Sequence, residues 1–438
     1  MKRKIEKDLL LWKKKERRKP LIVHGARQIG KTYSIREFGE KHYDDFVYVN
    51  FEMNAELAAD FEMNLEPERL IDRIEIYFGK KINPESTLLF FDEIQTCERA
   101  LTSLKYFYEE APQYHIIAAG SLLGITLNRE KYSFPVGKVQ LLEMFPMDFE
   151  EFLWACKQDM LAAKIREHFQ KQTQLDGAIH TKAMEQYRKY LVVGGMPEAV
   201  ATYRESGKLI DVIEIQRNIL DAYVADMAKY TTAAEGSRVL ACFDSIPAQL
   251  AKDNKKFQYK IIQKGGRASL FGTSIDWLSA AGIITKCEKV SRATVPLEAY
   301  KELSSFKLYL CDVGLLTLKA GTSAHDIVAG NHNLFTGALT ENYVANALEK
   351  NGHKLYYWTS GGQAEVDFLL QLDGGITPIE VKSGEHARSR SLSVYRQKYS
   401  PPWSIRISGR NFGYKEGIKN IPLYSVHCIE KTESDNGF

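Results

Sequence analysis

The chain has 438 residues, of which 44% are hydrophobic and 26% are charged, and its formal net charge is +3. This length exceeds one ordinary core, so we expect several domains, and the mild positive charge does not by itself indicate nucleic-acid binding. No apolar run reaches the roughly 18 residues of a membrane span, the charged N-terminus lacks the apolar core of a signal peptide, and the six cysteines lack C-x-x-C spacing. We therefore expect a cytoplasmic protein with no membrane partner, no disulfide framework and no zinc site.

The first motif in the chain is a glycine-rich turn that follows an apolar run over residues 21–23. Its spacing, G-x-x-x-x-G-K-T, is typical of a loop whose backbone N–H groups and following helix cradle phosphates. The predicted ATP-binding residues are Gly25, Ala26, Arg27, Gln28, Ile29, Gly30, Lys31 and Thr32. In this site we expect Lys31 to contact the β- and γ-phosphates as a catalytic cation and the Thr32 hydroxyl to ligate Mg²⁺. The alternative is a chance glycine turn between a strand and a helix.

Two acids follow a second apolar run, at the end of a predicted strand over residues 87–91. We expect Asp92 to hold Mg²⁺ through water. We expect Glu93 to be the catalytic residue that orients and polarises the water attacking the γ-phosphate. A third apolar run, residues 115–118, leads to Ser121, which either lies near the γ-phosphate or caps the following helix.

Apolar strands alternate with helical stretches from about residue 20 to residue 145. This alternation predicts parallel strands joined by crossover helices. The predicted strands cover residues 21–24, 46–51, 87–91, 115–118 and 139–142.

The middle of the chain is predominantly helical, with a turn at residues 194–197. From residue 237 to residue 290, short helices precede strand-like residues, an order that resembles a winged helix. Its predicted recognition helix begins with a cap at Thr273 and carries no arginine or lysine before Ala281, so it offers a poor surface for a DNA groove. We therefore predict a packing or lid module rather than a DNA-recognition module.

Two apolar strands near the C-terminus are separated by a turn that contains Asp373, and they predict a hairpin over residues 364–382. Glu380 and Lys382 are two positions apart, so they project from the same face of one strand. Asp367 lies on the other strand of the hairpin. The hairpin therefore brings two carboxylates and a lysine close together.

Upstream of the hairpin, Glu341 lies on an otherwise apolar helical stripe. The apolar members of this stripe are Leu334, Ala338, Val344, Ala345 and Leu348. We expect the stripe to face the sheet. The Glu341 carboxylate is then directed inward, where it needs a partner.

These motifs together resemble the prokaryotic AAA-type ATP-binding proteins that carry a C-terminal domain of unknown function in the restriction-endonuclease-like superfamily. The resemblance rests on residues 25–32, 88–93, 120–121, 134–152 and 194–197. Lys138 departs from the pattern, because many such proteins have an arginine after the glycine. If that arginine serves as a transition-state finger in relatives, lysine supplies the charge without the bidentate fork.

The resemblance implies an α/β multidomain chain. The implied domains are a P-loop AAA-type ATPase domain with a parallel sheet and flanking helices (residues 1–145), a helical lid region (146–234), a winged-helix-like module (235–305) and a restriction-endonuclease-like α/β domain (306–438).

The resemblance also implies roles for the C-terminal residues, by analogy with metal-dependent nucleases of that fold. Asp367 and Glu380 would be catalytic ligands of a second ion, Mg²⁺ or Mn²⁺. Lys382 would be catalytic by acting on the attacking water or the transition state, and Glu341 would contribute a further metal contact. The alternative is a salt-bridged remnant on a fold retained for binding.

The expected function is Mg²⁺-dependent ATP binding and hydrolysis, coupled to a C-terminal nuclease-like domain that binds or cleaves nucleic acid. The alternative is a nucleotide-gated switch or scaffold, whose C-terminal domain binds a protein or nucleic acid without cutting it.

Overall fold

The structure is a computed structural model, and it describes residues 1–120, 135–331, 334–362, 364–372, 374–384 and 390–431. Three residues of the sequence motifs lie outside these described residues: Ser121, Phe134 and Asp373. The chain forms two compact units, Met1–Phe145 with Ala280–Gly282 and Pro146–Ser279 with Ile283–Phe438.

Within the described part of the first unit, five parallel strands form one sheet in the order β2-β3-β4-β1-β5. The strands are β1 (Leu21–His24), β2 (Asp45–Asn50), β3 (Thr87–Asp92), β4 (His115–Ala119) and β5 (Gln140–Glu143). The helices are α1 (Ile5–Lys13), α2 (Lys31–His42), α3 (Ala55–Met63), α4 (Pro67–Phe78) and α5 (Glu98–Glu110), with a short 3₁₀ helix at Ile94–Thr96. The predicted parallel α/β organisation is confirmed, with each strand boundary within one residue of its prediction.

The centre of this sheet is apolar on both faces, because helices cover it. Every residue of β3 and β4 is buried, as is typical of parallel strands covered by helices. On one face, the rings of Phe51, Phe61 and Phe91 meet edge to face at centroid distances of 5.1 to 5.7 Å. Strand β4 lies between β1 and β3, so the ends of β1 and β3 open at the same edge of the sheet, one strand apart.

Beyond Phe145, the described residues form a mixed sheet of eight strands, in the order β12-β13-β11-β10-β9-β8-β6-β7. The strands are β6 (Ile284–Val290), β7 (Lys301–Leu310), β8 (Tyr356–Thr359), β9 (Glu365–Leu372), β10 (Gly375–Val381), β11 (Ser404–Ser408), β12 (Gly413–Lys415) and β13 (Ile418–Pro422). Among the described residues, no helix is long and apolar enough to cross a membrane.

The helices that follow Phe145 precede, interrupt and cover this sheet. They are α6 (Phe149–Ala155), α7 (Asp159–Lys171), α8 (Gly177–Val193), α9 (Pro197–Ser206), α10 (Leu209–Lys229), α11 (Ala233–Leu250), α12 (Tyr259–Ile262), α13 (Ala268–Ala280), α14 (Val313–Lys319), α15 (Ala324–Ala329), α16 (Thr336–Lys350) and α17 (Arg390–Tyr399). Short 3₁₀ helices cover Leu297–Tyr300 and Leu423–Cys428. The predicted helical middle is therefore present.

The predicted start of the candidate recognition helix is wrong. Helix α13 begins at Ala268, and Thr273 lies inside it, so Thr273 is not a cap. The reason is that the buried stripe of this helix starts at Phe271 and continues through Ile275 and Leu278. A helix that buries Phe271 must begin before Thr273.

The sheet of the second unit continues through the region predicted as a separate winged-helix-like module. Strands β6 and β7 pair antiparallel, and β6 also pairs parallel with β8. The predicted boundary between residues 305 and 306 falls within β7. The domain boundaries within this unit remain predictions.

The C-terminal hairpin is confirmed, because β9 and β10 pair antiparallel with Ile379 opposite Phe368. The upstream helix is also confirmed as α16, with Glu341 buried. Leu334 is not part of the buried stripe, because it precedes the helix and is fully exposed.

Candidate functional site

The glycine-rich loop joins β1 to α2 through left-handed backbone conformations. Gly25 has φ +135°, and a Cβ atom there would lie 2.1 Å from the Met144 carbonyl oxygen, so only glycine fits. Gly30, the residue before α2, has φ +87°. Gln28 also has positive φ, at +66°. These conformations curl the loop in front of the N-terminus of α2, where a helix attracts anions.

A buried arginine outside the motif holds this loop from behind. Arg3 donates from Nη1 to the Ile29 carbonyl at 2.9 Å and from Nη2 to the Phe145 carbonyl at 2.7 Å. The sequence pattern gave no indication of this role, because Arg3 stands in a basic N-terminal run that resembles a solvated segment. Arg3 therefore fixes the loop without belonging to its sequence pattern.

Lys31, the first residue of α2, is turned into the loop. Its ammonium group donates to the carbonyl oxygens of Gly25 at 3.0 Å and Ala26 at 2.7 Å. Burial lowers the pKa of Lys31 to about 8, although the charges of Glu93 and Asp92 oppose that shift. The acceptors of this lysine are therefore neutral groups of the loop itself.

The structure brings Thr32 and Asp92 together, as expected. Oδ2 of Asp92 accepts hydrogen bonds from Thr32 Oγ1 at 2.8 Å and from the Tyr48 hydroxyl at 3.0 Å. Tyr48 lies on β2, and Asn50 donates to its hydroxyl oxygen at 3.1 Å. The sequence motifs did not include Tyr48. Its hydroxyl-bearing side chain lies in β2, which ends at the same sheet edge as β3, and that position could have indicated a contact with Asp92.

Glu93 follows β3 in a strained backbone conformation. Its φ of +50° is left-handed, which is uncommon outside glycine and concentrates at functional sites. The next residue, Ile94, is fully buried and anchors the turn. Gln95 Nε2 donates to Glu93 Oε2, which holds the carboxylate in place.

Lys138, the departure from the family pattern, is already paired in this structure. Its ammonium group lies 2.9 Å from Glu109 Oε1 and 5.6 Å from the ring centre of Tyr108. Ser121 lies outside the described residues, so its two interpretations both stand as predictions.

The C-terminal unit contains a buried charge cluster around Glu341. Oε1 of Glu341 accepts from Lys307 Nζ at 2.9 Å and from the Tyr309 hydroxyl at 2.5 Å, while Oε2 accepts from Lys255. Lys307 is completely buried and also lies 2.6 Å from Glu365 Oε1. Burial opposes ionisation of Glu341, but the two lysines hold its pKa well below the ordinary value. The inward carboxylate therefore has two positively charged partners.

Asp367 lies beside the Glu341 cluster, and Glu380 has two positively charged neighbours of its own, Lys382 and Arg406. Asp367 accepts from the Val381 backbone N–H at 2.8 Å. Burial, with a further contribution from the charge of Glu341, raises the pKa of Asp367 to about 7. The buried Glu380 carboxylate lies 3.4 Å from Lys382 Nζ and 3.5 Å from Arg406 Nε.

The three predicted ligands Glu341, Asp367 and Glu380 do not form a recognisable metal cluster. In the part of the chain that the structure describes, no group of three or more His, Cys, Asp or Glu side chains is arranged to hold a metal ion. The buried Glu341 carboxylate needs a compensating cation, and Lys255 and Lys307 supply it. Both lysines are distant from Glu341 in sequence, so the sequence pattern did not indicate them. The available signal was Lys307 itself, which stands between the apolar residues Phe306 and Leu308 in the buried half of strand β7. The metal-ligand roles stay predictions.

Comparison with known proteins finds a family similarity for the region of the first site. Residues 17–153 match the family model described as an AAA domain. The N-terminal unit is therefore similar to AAA domains over most of its length. Residues 184–326 and 336–426 match two models that are each described as a domain of unknown function, DUF8612 and DUF4143. The restriction-endonuclease-like assignment rests on the sequence pattern alone.

Full-length similarities are distant. The uncharacterized protein MJ1544 of Methanocaldococcus jannaschii is 25% identical over 436 residues, which cover 95% of this chain and 82% of that protein. The Walker-type ATPase PABY2304 of Pyrococcus abyssi shares 15% identity at a TM-score of 0.44, covering 73% of this chain and 95% of its own. The Aeropyrum pernix ORC1 protein, solved in complex with DNA, shares 12% identity at a TM-score of 0.31, and the similarity covers 72% of this chain and 90% of the ORC1 chain. These similarities assign no activity.

One edge of the N-terminal sheet therefore brings together the glycine-rich loop, a buried lysine and two acids. The loop and Lys31 supply donors for phosphate oxygens. Thr32 and Asp92 supply oxygen donors of the kind that Mg²⁺ prefers. Glu93 supplies a carboxylate at the end of the adjacent turn.

Proposed function

We propose that the AAA-type domain binds ATP with Mg²⁺ and hydrolyses it, using Lys31, Thr32, Asp92 and Glu93. The observation that carries this proposal is the 2.8 Å hydrogen bond between Thr32 Oγ1 and Asp92 Oδ2. It joins the hydroxyl of the phosphate-binding loop to the carboxylate that ends β3. These are the two groups that hold Mg²⁺ in P-loop ATPases.

The residues present fit the ion. Thr32, Asp92 and the Tyr48 hydroxyl offer only oxygen atoms, and a compact divalent cation favours such a donor set. In our proposal Thr32 and Asp92 hold the ion. When bound, Mg²⁺ supplies positive charge to the β- and γ-phosphate oxygens.

Lys31 and the loop bind the phosphates. The lysine donates to two neutral carbonyl oxygens, of Gly25 and Ala26, and phosphate oxygens are stronger acceptors because they are charged. With a pKa near 8, Lys31 is mainly protonated at neutral pH. When the Lys31 ammonium group exchanges these carbonyl oxygens for phosphate oxygens, nucleotide binding is therefore favoured.

Glu93 is the proposed positioning group for the attacking water. Its carboxylate accepts a hydrogen bond from that water and increases the negative charge on the water oxygen. The left-handed backbone and the contact from Gln95 limit where this carboxylate can lie. Glu93 is accordingly needed for hydrolysis and not for binding.

The test is steady-state phosphate release from ATP by the full-length chain and three variants. Lys31→Ala and Asp92→Asn are expected to lose Mg·ATP binding and turnover while remaining folded. Glu93→Gln is expected to bind ATP without hydrolysing it. Unchanged affinity and turnover in all three variants would overturn the assignment.

We also propose that the C-terminal unit is a binding module for a protein or nucleic acid rather than an active nuclease. The two lysines on Glu341 support this proposal, because they already neutralise the carboxylate that a nuclease would direct to metal. The test is incubation of the full chain with single- and double-stranded DNA and RNA, in Mg²⁺ or Mn²⁺, with and without ATP. Metal-dependent cleavage that Asp367→Ala abolishes would restore the nuclease assignment.

A further inference from the structure

The second unit contains a cavity with a volume of about 240 Å³. It lies between α8, the end of α15, the first turns of α16 and the residues that follow β10 and β11. Three apolar side chains form one wall: Met184, Leu191 and Ile327. The remaining lining is polar, and none of the described lining residues is acidic. Among its described lining residues, the cavity therefore combines an apolar wall with a polar wall that carries no negative charge.

Arg188 supplies the formal positive charge of this cavity. Its guanidinium lies close against the backbone of Gly330, because a Cβ atom at that glycine would be 3.0 Å from Arg188 Cζ. Across the described ranges, no carboxylate lies within 4 Å of this guanidinium and no acceptor receives its hydrogen bonds. A guanidinium has five N–H donors in a planar fork that matches the oxygens of a phosphate. Arg188 therefore offers its donors to a ligand.

Hydroxyl groups and a helix end add to this positive region. Thr336 and Thr340 lie on the first turns of α16, a helix of 15 residues, and both line the cavity. The Thr340 hydroxyl accepts a hydrogen bond from the Tyr187 hydroxyl at 3.4 Å and donates one to the Thr336 carbonyl at 2.9 Å, which fixes the position of that threonine. The positive end of the α16 dipole is at this same place. Ser383 and Gly384, which follow β10, also line the cavity.

We propose that this cavity binds a small phosphate monoester. The phosphate would lie at Arg188 and the surrounding hydroxyl groups, and the organic group would contact the apolar wall of Met184, Leu191 and Ile327. The planar fork of Arg188 and the positive end of the α16 dipole suit the doubly charged terminal group of a monoester better than the single charge of a carboxylate. The site is separate from the ATP site, because it is built entirely from residues of the second unit.

The test is calorimetric titration of the full-length chain with ribose 5-phosphate and, separately, with inorganic phosphate. All proteins carry Lys31→Ala, so that the glycine-rich loop contributes no phosphate binding. We expect Arg188→Met to weaken ribose 5-phosphate binding by roughly tenfold or more. Lys182→Met, an exposed change on the same helix that does not line the cavity, is the matched control and should leave binding unchanged.

Two further arms keep the outcome decisive. Arg188→Lys keeps the charge but loses the fork, so it should bind more tightly than Arg188→Met and more weakly than the parent. Equal binding of inorganic phosphate and ribose 5-phosphate would support the phosphate site with free phosphate as its ligand. The proposal is overturned if neither ligand binds the parent, or if Arg188→Met binds as well as Lys182→Met.

Discussion

The two acid-and-lysine sites of this chain use the same residue types in opposite ways. At the nucleotide site, Asp92 accepts hydrogen bonds from two hydroxyl groups, and Lys31 donates to two backbone carbonyls. In the C-terminal cluster, Glu341 is paired with two ammonium groups, of Lys255 and Lys307. The charges of the first site therefore have neutral partners, whereas those of the second neutralise one another.

This difference determines how readily each site accepts a charged ligand. A hydrogen bond between a charged group and a neutral partner contributes a net free energy of about 1.5–3 kcal/mol, and this is recovered when another partner takes its place. Removing one member of a buried ion pair costs about 3–5 kcal/mol, because the remaining charge is left without compensation. The nucleotide site is accordingly suited to exchange its internal partners for ATP and Mg²⁺, and the C-terminal cluster is suited to hold its fold together.

The largest effect is expected for Glu93→Gln. Removal of the water-orienting carboxylate should lower ATP turnover by about 10²–10⁴-fold, with the affinity for ATP retained. Phosphate release and nucleotide binding measured on the same preparation check this prediction. Gln95→Ala is a graded control, because it removes only the side chain that holds Glu93. Full turnover in Glu93→Gln would mean that another group orients the water.

Lys307→Met should strongly destabilise the C-terminal unit. The substitution leaves Glu365 and one oxygen of Glu341 without their buried cation, so we expect the free energy of unfolding to fall by about 3–5 kcal/mol. Denaturant unfolding of the parent protein and the variant measures this change in the free energy of unfolding. Lys382→Met is the matched control, because Lys382 is about one-third exposed and its pair should contribute about 1 kcal/mol or less. Similar losses in both variants would contradict the structural role of the buried lysine in the Glu341 cluster.

The protonation of Lys31 predicts a pH dependence of ATP affinity. Lys31 is charged below its pKa of about 8 and neutral above it. The affinity for ATP should therefore be steady below pH 7 and decline as the pH rises through about 8. Lys31→Arg provides the comparison, because arginine stays protonated across this range and should give a flat profile. A decline of equal size in Lys31→Arg would assign the pH dependence to another group.

Tyr48→Phe should have the smallest effect. It removes one of the two hydroxyl groups on Asp92 Oδ2, a change of about 1.5 kcal/mol, at the low end for a hydrogen bond to a charged group because Thr32 still donates to the same oxygen. We expect the Mg²⁺ concentration for half-maximal ATP turnover to change several-fold, with the maximal rate nearly preserved. Tyr33→Phe, an exposed tyrosine on α2, serves as the control. An unchanged Mg²⁺ requirement in Tyr48→Phe would exclude Tyr48 from positioning Asp92.

The sequence predicted the parts of the molecule that depend on local patterns. The parallel strands, the glycine-rich loop and the C-terminal hairpin follow from apolar runs, turn residues and motif spacing. Arg3 and Tyr48 were missed, because each reaches its site only through the fold. Lys255 and Lys307 were missed for the same reason. Without these two partners, the inward carboxylate of Glu341 was interpreted as a metal ligand.

The predicted start of the recognition helix was wrong for a different reason. Thr273 has the chemistry of a helix cap, but the buried stripe that begins at Phe271 determines where α13 starts. Packing of an apolar face thus outweighed a local capping preference.

The most direct test of the comparison between the two sites is a count of bound Mn²⁺ by electron paramagnetic resonance. Full-length protein, Asp92→Asn and Asp367→Asn are titrated with Mn²⁺ in the presence and absence of ATP. The account predicts a single ion that requires ATP, is lost in Asp92→Asn and is retained in Asp367→Asn. An ion that binds without ATP and disappears in Asp367→Asn would contradict it, because the C-terminal carboxylates would then hold metal despite their lysine partners.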